Sequence, residues 1–255
     1  MNKLWRAKLI AFSIHLLFSA TLIGIFMWFV TQHWFPGQLF QFEDVWQGLQ
    51  ILVPVDAILG PLLTLAIFVP GKKYLIADLV IIVLIQISAL AYGAQTIYGQ
   101  RPEVIVFVGD RFEVVPASKY DSSKLDQQQF EAKHQTYPFL TYAMPAQSED
   151  ELADFVLNNT QYQKMPERYR PLESYRQKLE SKALNIEQLN PKTKQGQERL
   201  ESFKNKFNSE QQLLFIIEGT TTQSIIMALN KEDLSLQGFL DLDPWEEYQF
   251  STPEP

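Results

Sequence analysis

Three long stretches of the chain are almost free of charge. Residues 9–31 hold no Asp, Glu, Lys or Arg, residues 48–69 are interrupted only by Asp56, and residues 74–98 only by Asp78. A helix over residues 9–31 is about 34 Å long, enough for a hydrocarbon core of about 30 Å. Backbone in hydrocarbon must satisfy its own hydrogen bonds, so all three stretches predict transmembrane helices. The first is expected to stay as an anchor, not to leave as a signal peptide. Its apolar run continues through Met27-Trp28-Phe29-Val30 into His33-Trp34-Phe35 with no small-x-small cleavage site.

Beyond residue 100 the periodicity changes. Two β-branched runs, 104–108 and 112–115, flank Gly109-Asp110 and predict a hairpin. Residues 213–218 and 224–229 predict two strands joined by a polar turn, and 239–242 a last strand before Pro244-Trp245. Ser148, with Glu151 three residues on, predicts a capped helix over 149–158. Residues 167–189 and 192–207, rich in Glu, Lys, Gln and Arg, predict two more. The expected fold is a membrane protein with three transmembrane α-helices in residues 1–99 and a small α+β periplasmic domain in residues 100–255, its helices on one face of a sheet.

Charge sharpens this division. Residues 1–99 carry five basic and four acidic side chains, whereas residues 100–255 carry 17 and 25, so the formal −7 belongs to the second region. Lys3, Arg6 and Lys8 precede the first apolar stretch, and Lys72 and Lys73 lie in the Pro70-Gly71-Lys72-Lys73 turn between the second and third. The loop over residues 33–47 has no Lys or Arg but holds Glu43 and Asp44. The positive-inside rule then places both basic segments in the cytoplasm, and three crossings place residues 100–255 in the periplasm of a bacterial inner membrane.

Composition also excludes chemistries. There is no basic excess for nucleic acid. Without cysteine there is no disulfide scaffold, thiolate metal site or cysteine nucleophile. His15, His33 and His134 are too few and too dispersed for a histidine metal cluster, and no Gly-rich phosphate loop is present. The acidic groups Glu149-Asp150-Glu151-Asp154 and Asp241-Asp243-Glu246-Glu247 are expected to be solvated, since EF-hand spacing is absent. Trp245 is expected to pack into the core. No catalytic, cofactor-binding or metal-binding residue is assigned, and the chain is expected not to be an enzyme.

The candidate functional residues are the polar groups within the apolar stretches. Asp56 lies about 12 Å inside the second. A charged carboxylate there costs about 2.5–3.5 kcal/mol, so either it is held neutral or a partner supplies hydrogen bonds. Pro54 and Pro61 bracket it, and in an α-helix they free the carbonyls of Gln50 and Ala57, which predicts a kink. Counting residues by depth predicts one layer of Asp56 with Gln86 and Ser19 or Thr21, and a second of Asp78 with His15, Lys72 or Lys73. Gly60, Ala57 and Thr64 would allow another helix to approach closely.

Trp34-Phe35-Pro36-Gly37-Gln38-Leu39-Phe40, Val55-Asp56-Ala57-Ile58-Leu59-Gly60-Pro61-Leu62-Leu63-Thr64-Leu65, Pro70-Gly71-Lys72-Lys73, Asp78, Ala89-Leu90-Ala91-Tyr92-Gly93, Arg101-Pro102 and Asp110-Arg111-Phe112 follow one another in an order that resembles the TfpX/TfpZ family of type IV pilin accessory proteins. The likeness is dense over residues 9–115 and looser beyond. It implies an inner-membrane factor that assists the stability, assembly or surface display of a type IV pilus. The major pilin and the bilayer are the implied partners, and other pilus assembly proteins are further candidates. A membrane sensor would need a cytoplasmic output module, and residues 1–8 and 70–73 are too small for one. A pilin-modifying enzyme would need more crossings and a metal or lipid-phosphate site.

Overall fold

The computed structural model describes residues 3–43, 45–130, 137–207, 209–221 and 223–248, in two compact units, Met1–Gln100 and Arg101–Pro255. Asp44, His134 and Thr222 lie outside the described residues.

The first unit contains three helices long and apolar enough to cross a membrane. The first, α1 (Lys3–Phe29), ends in a π-helical turn, Val30–Trp34. It begins six residues before the apolar stretch, because Lys3, Arg6 and Lys8 are good helix formers and can extend it. A reversal at Gly37, whose φ of 65° suits glycine, leads into the short α2 (Leu39–Phe42). The second of these helices is composite: α3 (Val45–Pro54), a π-helical turn over Val55–Leu59, and α4 (Gly60–Ile67). It stops before Val69, which precedes Pro70 and so disfavours the helical region. The third, α5 (Leu75–Gln100), is unbroken. Val30, Phe35, Val45, Leu49 and Ile97 form a buried cluster, beside which Trp34 meets Phe26, Phe29 and Tyr98 edge-on at 5.1–5.9 Å. Gly93 lets α5 approach closely, since a Cβ there would lie 2.6 Å from Leu52 Cδ1.

The second unit is built on a seven-stranded mixed sheet, ordered β4-β3-β1-β2-β5-β6-β7. The expected hairpin is β1 (Pro102–Val108) with β2 (Arg111–Pro116). Next come β3 (Phe139–Ala143), parallel to β1, then α6 (Glu149–Leu157), and β4 (Tyr169–Arg170) on the outer edge. Helices α7 (Arg176–Glu180) and α8 (Lys194–Lys206) precede β5 (Gln212–Glu218), which runs parallel to β2. Strands β6 (Ser224–Asn230) and β7 (Leu236–Leu240) complete the sheet before α9 (Pro244–Glu247).

Both faces of this sheet are covered, not one. Leu213 to Ile217 are all buried, although successive side chains point to opposite faces. On one face Leu214, Ile226 and Ala228 pack with Leu200 and Phe203 of α8, and Val104, Val106 and Val115 pack with Phe130 and Tyr169. On the other, Phe107, Phe112 and Phe215 meet edge-on at 5.0–5.8 Å, and Tyr142 stacks on Tyr175 at 3.9 Å.

Two further expectations are corrected. Residues 167–189 are not one helix: β4, 3-10 turns and the five residues of α7 replace it, because Pro171 has no N–H to donate and holds Arg170 extended. Trp245 is not core. It is 46% exposed, its indole N–H donates to Ser224 Oγ at 3.1 Å, and the Arg111 guanidinium lies 4.8 Å from its ring.

Within the sheet unit one carboxyl is set against its surroundings. Burial pushes Glu113 above the usual carboxyl range, and a hydrogen bond with Gln163 pulls the other way. A raised folded-state value stabilises the unit below the ordinary carboxyl pKa, and that contribution is lost as pH rises through the shifted one. Glu113→Gln is therefore expected to flatten the fall in stability of this unit as pH rises above the ordinary carboxyl range, and to be the more stable form once Glu113 would be ionised. Pulse proteolysis of the full chain in mild detergent, across urea and pH, reads this. A variant with an unchanged pH slope would refute it.

Candidate functional site

The second long apolar helix holds the candidate site, and its two prolines explain the local shape. In a π turn the carbonyl of residue i pairs with the N–H of residue i+5. In that register the Asp56 carbonyl looks to residue 61, a proline with no N–H to give. At Pro61 the freed carbonyl is thus that of Asp56, where a regular α-helix would have freed Ala57. Gln86 on α5 supplies the missing donor, its Nε2 lying 3.1 Å from the Asp56 carbonyl oxygen.

This places Gln86 in a three-helix network. Its Oε1 lies 2.7 Å from His15 Nε2 on α1, and His15 Nδ1 lies 2.6 Å from Thr64 Oγ1 on α4. Gln86 Oε1 can only accept, so the proton sits on His15 Nε2, and the Thr64 hydroxyl is placed to donate to Nδ1. Gly60 makes the crossing possible. A Cβ at this position would lie 2.0 Å from Gln86 Nε2, so any other residue would displace the amide. Gly60 and Thr64 are thereby taken up by contacts within the chain's own bundle.

The Asp56 side chain is a different matter. It is 4% exposed, and among the described residues neither carboxyl oxygen has a hydrogen-bond partner. It lines a cleft of about 20 Å³, room for one water-sized group, between α1 and α5. His15 and Ser19 form one wall, Val83 and Gln86 the other, and Phe18 and Ile87 stand at the rim.

Other groups fall elsewhere. His15 joins the Gln86 layer and not Asp78, which pairs with Lys72 at 2.5 Å in a half-exposed ion pair. Such a pair contributes at most about 1 kcal/mol. Depth along the axis ranks polar groups by height but says nothing of the side of the helix they occupy. Ser19 lines the cleft, while the Thr21 hydroxyl turns back to the Leu17 carbonyl at 2.8 Å. Lys8 Nζ donates to the Ala66 carbonyl at 3.0 Å, which brings the basic start of α1 to the end of α4. Lys3, Arg6, Lys72 and Lys73 are exposed. Among the described residues no group of three His, Asp or Glu side chains is arranged to hold a metal ion.

Sequence comparison adds to this geometry. Over 120 residues, 45% of the chain, it is 33% identical to the fimbrial assembly protein of serogroup I of Dichelobacter nodosus, covering 46% of that protein. It is 32% identical over 120 residues to the fimbrial assembly protein of serogroups C1 and C2 of the same organism, covering 90% of it. A third, the fimbrial assembly protein of serogroup E1, is 32% identical over 122 residues and 46% covered. The match thus spans about half the length of two of these relatives and nearly all of one. No protein-family profile matches the chain, and no solved structure does.

Proposed function

The chain belongs to the family of fimbrial assembly proteins, and we propose that it is a non-enzymatic accessory factor for a type IV pilin, holding the subunit at the inner membrane for assembly. The observation that carries this role is the similarity to fimbrial assembly proteins over 120 residues. The architecture suits it. A fimbrial subunit awaiting assembly in the membrane needs a partner with both an intramembrane surface and a domain on the side where the pilus grows. Three helices long and apolar enough to cross a membrane, followed by a sheet unit, support this reading. The proposed orientation puts the N-terminus and the 70–73 turn in the cytoplasm and residues 101–255 in the periplasm. It is supported by the meeting of Lys8 with the end of α4, which gathers the basic residues at one end of the bundle.

The test is copurification from native membranes in mild detergent, with pilin quantified after deletion of the gene. Recovery of the major pilin with the chain, and loss of pilin or of surface pili on deletion, is the expected result. Unchanged piliation together with a pilin-free eluate would end this proposal.

A further inference from the structure

We infer that the cleft between α1 and α5 seats a membrane helix of the fimbrial subunit, which presents a hydrogen-bond donor to the Asp56 carboxyl; this rests on the role proposed above. Three observations lead there. The carboxyl is 4% exposed, yet both its oxygens lack a partner among the described residues. A buried carboxylate in hydrocarbon is strongly disfavoured until it meets a donor, so such a group marks where a partner is missing.

Of the three polar side chains that line the cleft beside Asp56, His15 and Gln86 cannot turn to it without loss, and the Ser19 hydroxyl is a single donor for two carboxyl oxygens. Both ring nitrogens of His15 are engaged, and Gln86 uses its oxygen on His15 and its nitrogen on the Asp56 carbonyl. The rim supplies the third observation. Phe18 and Ile87 are 60% and 52% exposed and flank the opening, so an apolar helix can pack there while one small polar group enters the cleft. The complementary occupant is a transmembrane helix carrying an ammonium, hydroxyl or amide at the depth of Asp56.

The test uses a photoreactive residue at Phe18 or Ile87, with Leu17 and Ile85 as controls. The controls are exposed and lie at similar depth but do not line the cleft. In native membranes that produce the fimbrial subunit, adducts should form from Phe18 and Ile87 and not from the controls. Asp56→Leu should reduce them about tenfold or more, the size expected for one charge-assisted hydrogen bond, and Asp56→Asn less. Because Gln86 bonds the Asp56 backbone and not its side chain, both variants should keep the bundle, which protein level and protease pattern will check. Ile87→Trp, which blocks the rim without touching the network, should also abolish the adducts.

If pilin copurifies but labels all four positions alike, or if Asp56→Leu changes nothing, the cleft is not the seat and the accessory role stands. If no pilin is recovered by either route, both fall.

Discussion

Gly60→Ala is expected to destabilise the helical bundle by about 2 kcal/mol, although alanine is the better helix former. The added methyl would sit 2.0 Å from Gln86 Nε2 and 2.6 Å from its Oε1, so the amide must swing away. Its movement is easy for a flexible side chain, and the penalty lies in what it releases. The bond from Gln86 to the Asp56 carbonyl and the bond between Gln86 and His15 are both lost. Interhelical hydrogen bonds in membranes contribute about 0.6 kcal/mol on average and up to about 1.7, and the Asp56 carbonyl keeps no helix donor because residue 61 is proline.

A double-mutant cycle isolates this cause. With Gln86→Ala in place there is no amide to displace, so Gly60→Ala should then be neutral or slightly stabilising. Denaturant titration of the full chain in detergent measures each corner. Additivity within about 0.5 kcal/mol would show that Gly60 matters for some other reason.

The same residues show how far the sequence could be read. Depth alone puts Asp56 and Gln86 at one level, and Gln86 Nε2 reaches the Asp56 backbone carbonyl, because rise per residue is fixed in any helix. The atom that meets was not legible. Two prolines seven residues apart announce disturbed hydrogen bonding, but one extra residue in the turn decides whose carbonyl is orphaned. That choice depends on packing against α1 and α5. In the sheet unit, the β1–β2 and β5–β6 pairs were legible because each is local and rich in β-branched residues. Strand β3 was not, since its parallel pairing with β1 is non-local and its five residues carry no distinct pattern. The composition of residues 167–189 spoke for a helix, and Pro171 at an interior position overruled it.

Arg168→Ala is expected to cost the sheet unit about 2–3 kcal/mol, and Arg168→Lys to recover only part of that. The guanidinium ties three segments together. Its Nε donates to the Met144 carbonyl at 2.7 Å, Nη2 to the Pro145 carbonyl at 2.7 Å, and Nη1 to Glu151 Oε1 at 2.5 Å, while its plane lies 4.9 Å from the Phe155 ring. Hydrogen bonds to a charged group contribute about 1.5–3 kcal/mol where they are buried, and here partial exposure lets water recover some of the loss. Alanine leaves the Met144 carbonyl without its donor, leaves the Pro145 carbonyl to Gln147 Nε2 alone, and frees the first turn of α6. A lysine ammonium is a point charge and cannot reach Met144, Pro145 and Glu151 in the fork geometry, so most of the penalty persists.

The acid limb gives a second signature. The hydrogen bond from Arg168, and after it the Gln147 N–H, holds Glu151 below the usual carboxyl range. A lowered folded-state value means stability that is present above the ordinary carboxyl pKa and lost as pH falls through the lowered one. Arg168→Ala should therefore weaken the unit most near neutrality and least in acid. Pulse proteolysis of the full chain in urea at several pH values tests both claims. An Arg168→Lys variant as stable as the parent, or a penalty for Arg168→Ala that does not shrink on acidification, would mean that the fork and its carboxylate do not hold α6 to the sheet.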